Sequence, residues 1–464
     1  MEARQKLAFD RAGVLVSDTL ARAKPMVRWS LRHGMPRAML WHGARRGDLQ
    51  GRIMVESEHG RDISGLFGEV RAVGPIAPTR FGWITASQPV VREVLSSNDF
   101  RTGTFDPDDS ALGRLAAWSA SELLDPIQPP SLLATDPPDH TRYRKLVTRV
   151  FTARAIERLR ARIQQISEEL LDEIGAADRG EPVDLIESYC ALLPVTVISE
   201  ILGVPPHERD RVLAFGAATA PAVEFGLHWR VFRSVETAQA EFSAWLGDHF
   251  ERLRRHPGDN LLSHLVAVRD DGVGLTEREL KATAGLVLTA GFETTVNLLG
   301  SGIALLAGHP RQLALVRECP ELWSNAVEEV LRYDPPILQT GRTALRDTDV
   351  SGVPLPRGAF VATLLAGANR DPQVFANADV FDVTRSNARE HVSFGAGRHH
   401  CLGASLARLE GEIGLRAIFD RFPALRVLPG ANGVGPRSCA DTSTCRACSA
   451  ERMCGGCLRG HGRR

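Results

Sequence analysis

With 464 residues, 43% of them hydrophobic and 24% charged, the chain has the make-up of a soluble globular protein large enough to enclose a sizeable ligand. Its 56 Lys and Arg balance 56 Asp and Glu, so the whole-molecule charge gives no reason to expect nucleic acid as a partner. Residues 1–45 read as a basic N-terminal extension. Its apolar run AGVLV is far too short for a secretory h-region. From Lys24 to Arg46 basic residues mix with Met26, Trp29, Met39 and Trp41. That pattern suits either a membrane-surface helix or a segment packed on its own domain. Packing is expected, and membrane contact is not.

Helical periodicity dominates the rest of the chain. AIERLRARIQQISEELLDEI and SVETAQAEFSAWLGDHFERLRR each read as one long amphipathic helix. LTERELKATAGLVL opens with a capping box, Thr276 to Glu279, and His309-Pro310 stops the helix it begins. Within it, Ala284 to Leu306 is long enough to span a bilayer, but Glu293 would then sit near the midplane. A helix buried through a large protein is the expectation. Strand signals are short: FGWITA near Trp83 and GAFVATLL near Val361. The stretch from Arg101 to Asp136 has no clean period and reads as an irregular loop, either functional or a divergent surface excursion. The fold class is therefore mainly α with a small β region, in a single domain.

Five patterns carry chemistry. FGAGRHHCLG sets Cys401 among three glycines and three basic side chains, where a thiolate would be stabilised and an anion accommodated. On the buried helix, Leu286, Thr289, Ala290, Glu293 and Thr294 share one face, and a buried carboxylate is costly unless partnered or working. In DHTRYRKLVTRVF, His140 and Arg144 share a face, while Arg142, Lys145 and Arg149 lie nearly opposite. NAVEEVLRYDPP places Glu329 one turn before Arg332. GRTALRD and FDVTR supply Arg342 and Arg385 from non-helical segments.

Taken together, these motifs resemble the cytochrome P-450 superfamily of haem-thiolate monooxygenases, particularly its soluble bacterial and mycobacterial members. FGAGRHHCLG matches the haem-ligand loop at Phe394, Gly395, Gly397, His399, Cys401 and Gly403. AGFETT matches the oxygen-activating helix, EEVLR the Glu-x-x-Arg helix, and DPPDHTRYR the haem-flanking helix. The resemblance runs from about Arg46 to about Gly430 and implies the family's fold, a single domain around a buried haem b. It implies Cys401 as the axial thiolate and metal ligand, with His140, Arg144, Arg342 and His399 holding the haem propionates. It implies Glu293 and Thr294 as catalytic proton-relay residues serving O2. Leu286, Thr289, Ala290 and Ile337 would border a hydrophobic small-molecule substrate. Glu329, Arg332 and Arg385 would form a structural ion-pair network.

Electrons are expected from a ferredoxin and its NAD(P)H-dependent reductase, since no flavin or nicotinamide fingerprint is visible. The face made by Arg142, Lys145 and Arg149, with Arg398, His400 and Arg408, would dock the ferredoxin. Scattered cysteines without a secretory signal point to the cytoplasm. A rival reading is a haem-binding protein without turnover, a sensor or an impaired relic. It is favoured by residues 431–464, a tail rich in Cys, Gly and Arg where the family has strands. Cys445, Cys448, Cys454 and Cys457 are spaced like zinc ligands within each pair, but disorder of the tail is the expectation.

Overall fold

The computed structural model describes residues 23–102, 110–148, 151–176, 182–223, 226–267, 269–270 and 273–428. The tail and its cysteine pairs lie outside the described residues. Eight helices position the site: α1 (Met35–Arg45), α2 (Ala111–Ser119), α3 (Asp139–Thr148), α4 (Arg209–Thr219), α5 (Trp229–Arg255), α6 (Glu277–Gly308), α7 (Trp323–Tyr333) and α8 (Ala404–Arg421).

Helix α6 runs through the core for 32 residues. At its start the Thr276 hydroxyl accepts from Glu279 N at 3.3 Å, and Glu279 Oε2 accepts from Thr276 N at 2.9 Å. It ends at His309, directly before Pro310, whose ring cannot continue it. The helix is long and apolar enough to cross a membrane, yet most of its hydrophobic stretch is buried in the protein. It crosses α8 at backbone contact. A Cβ on Gly302 would sit 2.6 Å from Leu415 Cδ1. Leu298, Leu299 and Ile303 of α6, Leu409 and Ile413 of α8 and Val327 and Val330 of α7 join one core.

A five-stranded sheet flanks the helices, in the order β1-β2-β9-β6-β3. Its strands are β1 (Ala77–Thr79), β2 (Gly82–Thr85), β3 (Phe100–Thr102), β6 (Gln339–Ala344) and β9 (Phe360–Leu364). Short hairpins β4–β5 (Arg269–Asp270, Val273–Gly274) and β7–β8 (Thr348–Val350, Val353–Leu355) complete the β structure. The two strands expected from the sequence, β2 and β9, pair in parallel with Trp83 beside Val361. One face packs Ile84, Ala362 and Leu364 on Phe67 and Val70.

Two local expectations change. The helix expected over residues 155–174 is broken into Ala153–Glu157 and Arg160–Ala176. No Gly or Pro marks the break. Tertiary contacts make it, with Leu159 N turning onto Ile156 O at 2.9 Å and Arg160 reaching Glu412 on α8 at 3.0 Å. The stretch 101–136 is also not wholly irregular. It contains α2, whose N-cap Ser110 accepts from Gly113 N at 3.0 Å.

Behind the core, Glu329 and Arg332 are fully buried. The Arg332 guanidinium donates to both Glu329 oxygens, at 2.7 and 2.8 Å, and to the carbonyls of Asn369, Ala378 and Val380. Arg385 donates to the same carboxylate at 3.2 Å and to the carbonyls of Ala376, Asn377 and Val380. One carboxylate and two guanidiniums thus pin α7 to the chain at 369–385. On α8, Glu410 is buried with Oε1 unpartnered, and burial pushes its carboxyl up to about 8.

Replacing Glu329 by Gln leaves two buried cations undercompensated and should cost about 3–5 kcal/mol in denaturant unfolding. Glu410 gives a pH signature. Its raised value means the native state holds a proton that the unfolded state releases between the ordinary carboxylate range and pH about 8. Stability should therefore fall as pH rises through that window, by at most about 1.4 kcal/mol per unit. Glu410→Gln should flatten this slope in unfolding curves measured from pH 5 to 8.

Candidate functional site

The loop Phe394–Gly403 is closed by one hydrogen bond, Cys401 N to Phe394 O at 2.8 Å. Two left-handed residues make that possible, Gly395 at φ 69° and Gly397 at φ 66°. Gly397 is also sterically obligatory, since a Cβ there would lie 2.5 Å from Leu95 O. Cys401 is a free, solvent-accessible cysteine at the start of α8, with the N–H groups of Gly403 and Ala404 within reach of its sulfur. The protein crowding around it pushes the thiol up, while those N–H groups and the charges of Arg144 and Arg408 pull it down.

The loop is braced from three sides. Arg144 Nη2 donates to His400 O at 2.6 Å. Arg398 Nη2 donates to Ser97 O at 3.0 Å and Asn98 Oδ1 at 2.7 Å. Arg408 Nε donates to Glu328 Oε1 at 2.8 Å, and its guanidinium lies 4.5 Å from the Phe394 ring centre. His391 Nε2 lies 3.1 Å from Glu328 Oε2. Glu328 and His391 were not singled out in the sequence. The only signal was Glu328's place beside Glu329 in EEVLR.

A second cluster brings together residues far apart in the chain. The rings of His140 and His399 are 4.2 Å apart, and His399 Nε2 is 3.7 Å from Asp136 Oδ1, too far for a hydrogen bond. Burial lowers both imidazoles, His140 to about 4, so both are neutral at pH 7. The Nε2 atoms of both rings are buried without a hydrogen-bond partner. Arg342 on β6 is buried as well and donates to Gly341 O at 2.8 Å. Burial lowers its guanidinium to about 10. A buried cation beside two unpartnered imidazole nitrogens is a set of donors arranged for an anion.

Helix α6 supplies the third part. Ala290 is exposed on an otherwise buried helix, and Glu293 and Thr294 are half-buried one turn on. The Thr294 hydroxyl donates to Ala290 O at 2.6 Å. Burial alone raises the Glu293 carboxyl. Earlier on the same face, Ala282, Gly285, Leu286 and Thr289 line a cavity completed by Leu124, Asp125, Pro126, Thr219, Gln239 and Phe242. Thr289 and Thr219 share a hydrogen bond of 3.2 Å. Ile337 packs elsewhere, half-buried against Val91, Leu95 and Ala396.

The basic docking face expected from α3 is different in the structure. Arg142 does not point freely outward, because Nη2 donates to Glu279 Oε1 at 2.6 Å and ties α3 to the start of α6. The same Glu279 oxygen accepts from Tyr143 at 2.8 Å. Arg149 lies outside the described residues, and Arg398 and Arg408 are engaged in bracing the cysteine loop.

Known proteins share these features. The profile of the family described as Cytochrome P450 matches residues 321–429. The chain is 46% identical over 418 residues to cytochrome P450 140 of Mycobacterium tuberculosis, covering 89% of this chain and 94% of that protein. It is 41% identical over 371 residues to 6-deoxyerythronolide B hydroxylase of Saccharopolyspora erythraea, covering 77% and 88%. Among solved structures, P450BioI in complex with an acyl carrier protein bearing hexadec-9Z-enoic acid superimposes with a TM-score of 0.73. It shares 32% identity, and the match covers 81% of this chain and 95% of that one. On sequence and fold alike, the chain belongs to the cytochrome P450 family and is a monooxygenase of the oxidoreductase class.

Proposed function

We propose that Cys401 ligates the iron of a haem b and that this chain hydroxylates a mainly apolar small molecule with O2. The observation that carries the reading is the donor set at one side of the cysteine loop. His140 Nε2 and His399 Nε2 are buried orphans, and Arg342 is a buried cation. Two carboxylates would satisfy all three, which fits the propionates of a haem. The open space where Gly403 would carry a Cβ fits a flat macrocycle passing close to the loop. Asp136 Oδ1 lies 3.7 Å from His399 Nε2, beyond hydrogen-bond reach, and leaves that nitrogen free for the anion. When bound, the haem supplies dioxygen activation and oxygen transfer, and a thiolate ligand favours O–O cleavage.

The chain's own residues then have defined tasks. Burial on balance raises the Cys401 thiol, and the Gly403 and Ala404 N–H groups, with Arg144 and Arg408, work against it and would stabilise the thiolate once iron ligates the sulfur. Thr294 has committed its proton to Ala290 O, which leaves the lone pairs of Oγ1 to accept a hydrogen bond and keep a proton in place. Glu293 has its carboxyl raised by burial, so it exchanges a proton nearer neutral pH than an exposed glutamate does. The cavity excludes water with Leu124, Pro126, Phe242 and Leu286, and offers oxygen-bearing groups on Thr219, Thr289 and Gln239. We take the substrate to be a largely hydrocarbon skeleton carrying hydroxyl or carbonyl groups. The likeness to 6-deoxyerythronolide B hydroxylase supports such a class. Electrons come from a ferredoxin and its NAD(P)H-dependent reductase, docking at the exposed loop around His400.

Protein produced with ample haem should give the red-shifted ferrous carbon monoxide band of thiolate ligation, and Cys401→Ala should abolish it while pigment falls. A colourless wild-type protein, or an unchanged band in the variant, overturns the assignment. In the reconstituted enzyme, Thr294→Ala should keep consuming NAD(P)H while product formation drops on the order of 10²-fold. Retained coupling between the two would exclude Thr294 from proton handling.

A further inference from the structure

Residues 23–45 lie across two segments that both line the cavity. Residues 23–29 are helical, Ser30–Gly34 form a π-turn, and α1 follows. Toward the first segment, Arg28 Nη1 donates to Ser119 O at the end of α2, and Arg32 Nη1 is 2.7 Å from Asp125 Oδ2. Lys24 Nζ lies 5.5 Å from the Trp118 ring centre. Toward the second, Arg28 Nε donates to Glu236 Oε1 at 3.0 Å. Trp29 Nε1 donates to Leu227 O at 2.7 Å, and His33 Nδ1 accepts from Leu227 N at 3.3 Å. Arg37 Nη1 donates to Gly226 O at 3.1 Å. Trp29 stacks edge-on to Trp229 at 5.7 Å, and His33 meets Phe232 at 5.4 Å.

These contacts form a built interface rather than surface decoration. Arg28, His33 and Glu236 are each at most 7% exposed. Arg28 alone touches both segments. Each segment continues into the cavity: Asp125 stands between Leu124 and Pro126 in its wall, and Gln239 and Phe242 follow Glu236 on α5. A substrate too large for this small, partly open cavity gains room if these two walls separate, and separation breaks the links through residues 24–37.

We propose that residues 24–37 are a strap that fixes the spacing of the two walls, with Arg28 and Arg32 as specificity-determining residues. The proposal rests on the reading of this cavity as the substrate site. Arg32 pairs with Asp125, a carboxyl in the cavity wall that burial raises against the pull of that guanidinium. Releasing Arg32 should admit bulkier molecules.

The test uses the haem-loaded enzyme and reads ligand association from the Soret shift, with imidazole as the small probe and clotrimazole as the bulky one. Arg32→Ala should speed clotrimazole association by about three- to tenfold, as expected for loss of a partly buried ion pair. Imidazole should change by less than about twofold, since it needs little wall separation. Asp125→Asn keeps the shape of the wall, breaks the same pair, and should reproduce the clotrimazole effect if the first variant folds poorly. Hydrogen exchange should rise together in residues 111–126 and 226–236 in either variant. Equal effects on both azoles, or none, would overturn the strap while leaving the haem assignment intact. A wild-type protein without the thiolate carbon monoxide band would instead overturn the reading beneath it.

Discussion

To keep a cysteine sulfur accessible and fixed in direction is a requirement that ordinary chain rarely meets. Here the requirement is met by one backbone hydrogen bond, Cys401 N to Phe394 O, closed across two left-handed glycines. That closure aims the first N–H groups of α8 at the sulfur. Everything around it limits movement. Arg144 holds the His400 carbonyl, Arg398 holds the segment at Ser97, and Arg408 spans from the ring of Phe394 to buried Glu328. Four elements thus converge on ten residues. Their convergence explains why basic side chains crowd this loop, since each cation serves a carbonyl or carboxylate, and Arg144 and Arg408 act on the thiol as well.

The glutamate–arginine network sits one layer behind. Glu329 and its two guanidiniums tie α7 to residues 369–385, and Asn369 carries the tie forward, its Oδ1 accepting from Val392 N at 2.7 Å. The loop therefore rests on a buried polar lattice as well as on the apolar contacts of Phe394, Ala396 and Leu402. Such a lattice is costly to dehydrate and holds one arrangement once satisfied.

How much of this was legible in the sequence depended on the distance over which each signal acts. Caps, proline stops and glycine turns are local, so the limits of α6 and the tight loop at Cys401 could be read directly. The single face formed by Leu286, Thr289, Ala290, Glu293 and Thr294 follows from helical period alone. Partners were not local. Arg142 looked like an outward charge because Glu279, which binds it, is 137 residues away. The break at residues 158–159 has no breaker residue, and was set by packing on α8. The basic, aromatic segment after Lys24 suited a membrane or a protein surface equally well. The structure divides the segment: Trp29 packs on Leu227 and Trp229, while Met26, Met39 and Trp41 stay exposed, a split the segment itself does not reveal.

The parallel pairing of β2 with β9 has a consequence for synthesis. Trp83 must find Val361, almost the whole length of the domain later, before the central sheet can exist. An emerging chain can coil its early helices on the ribosome, but this sheet waits until nearly all of the domain has been translated. Until then Ile84 and the neighbouring apolar residues lack their cover, so nascent chains of this protein should depend on chaperones late in translation.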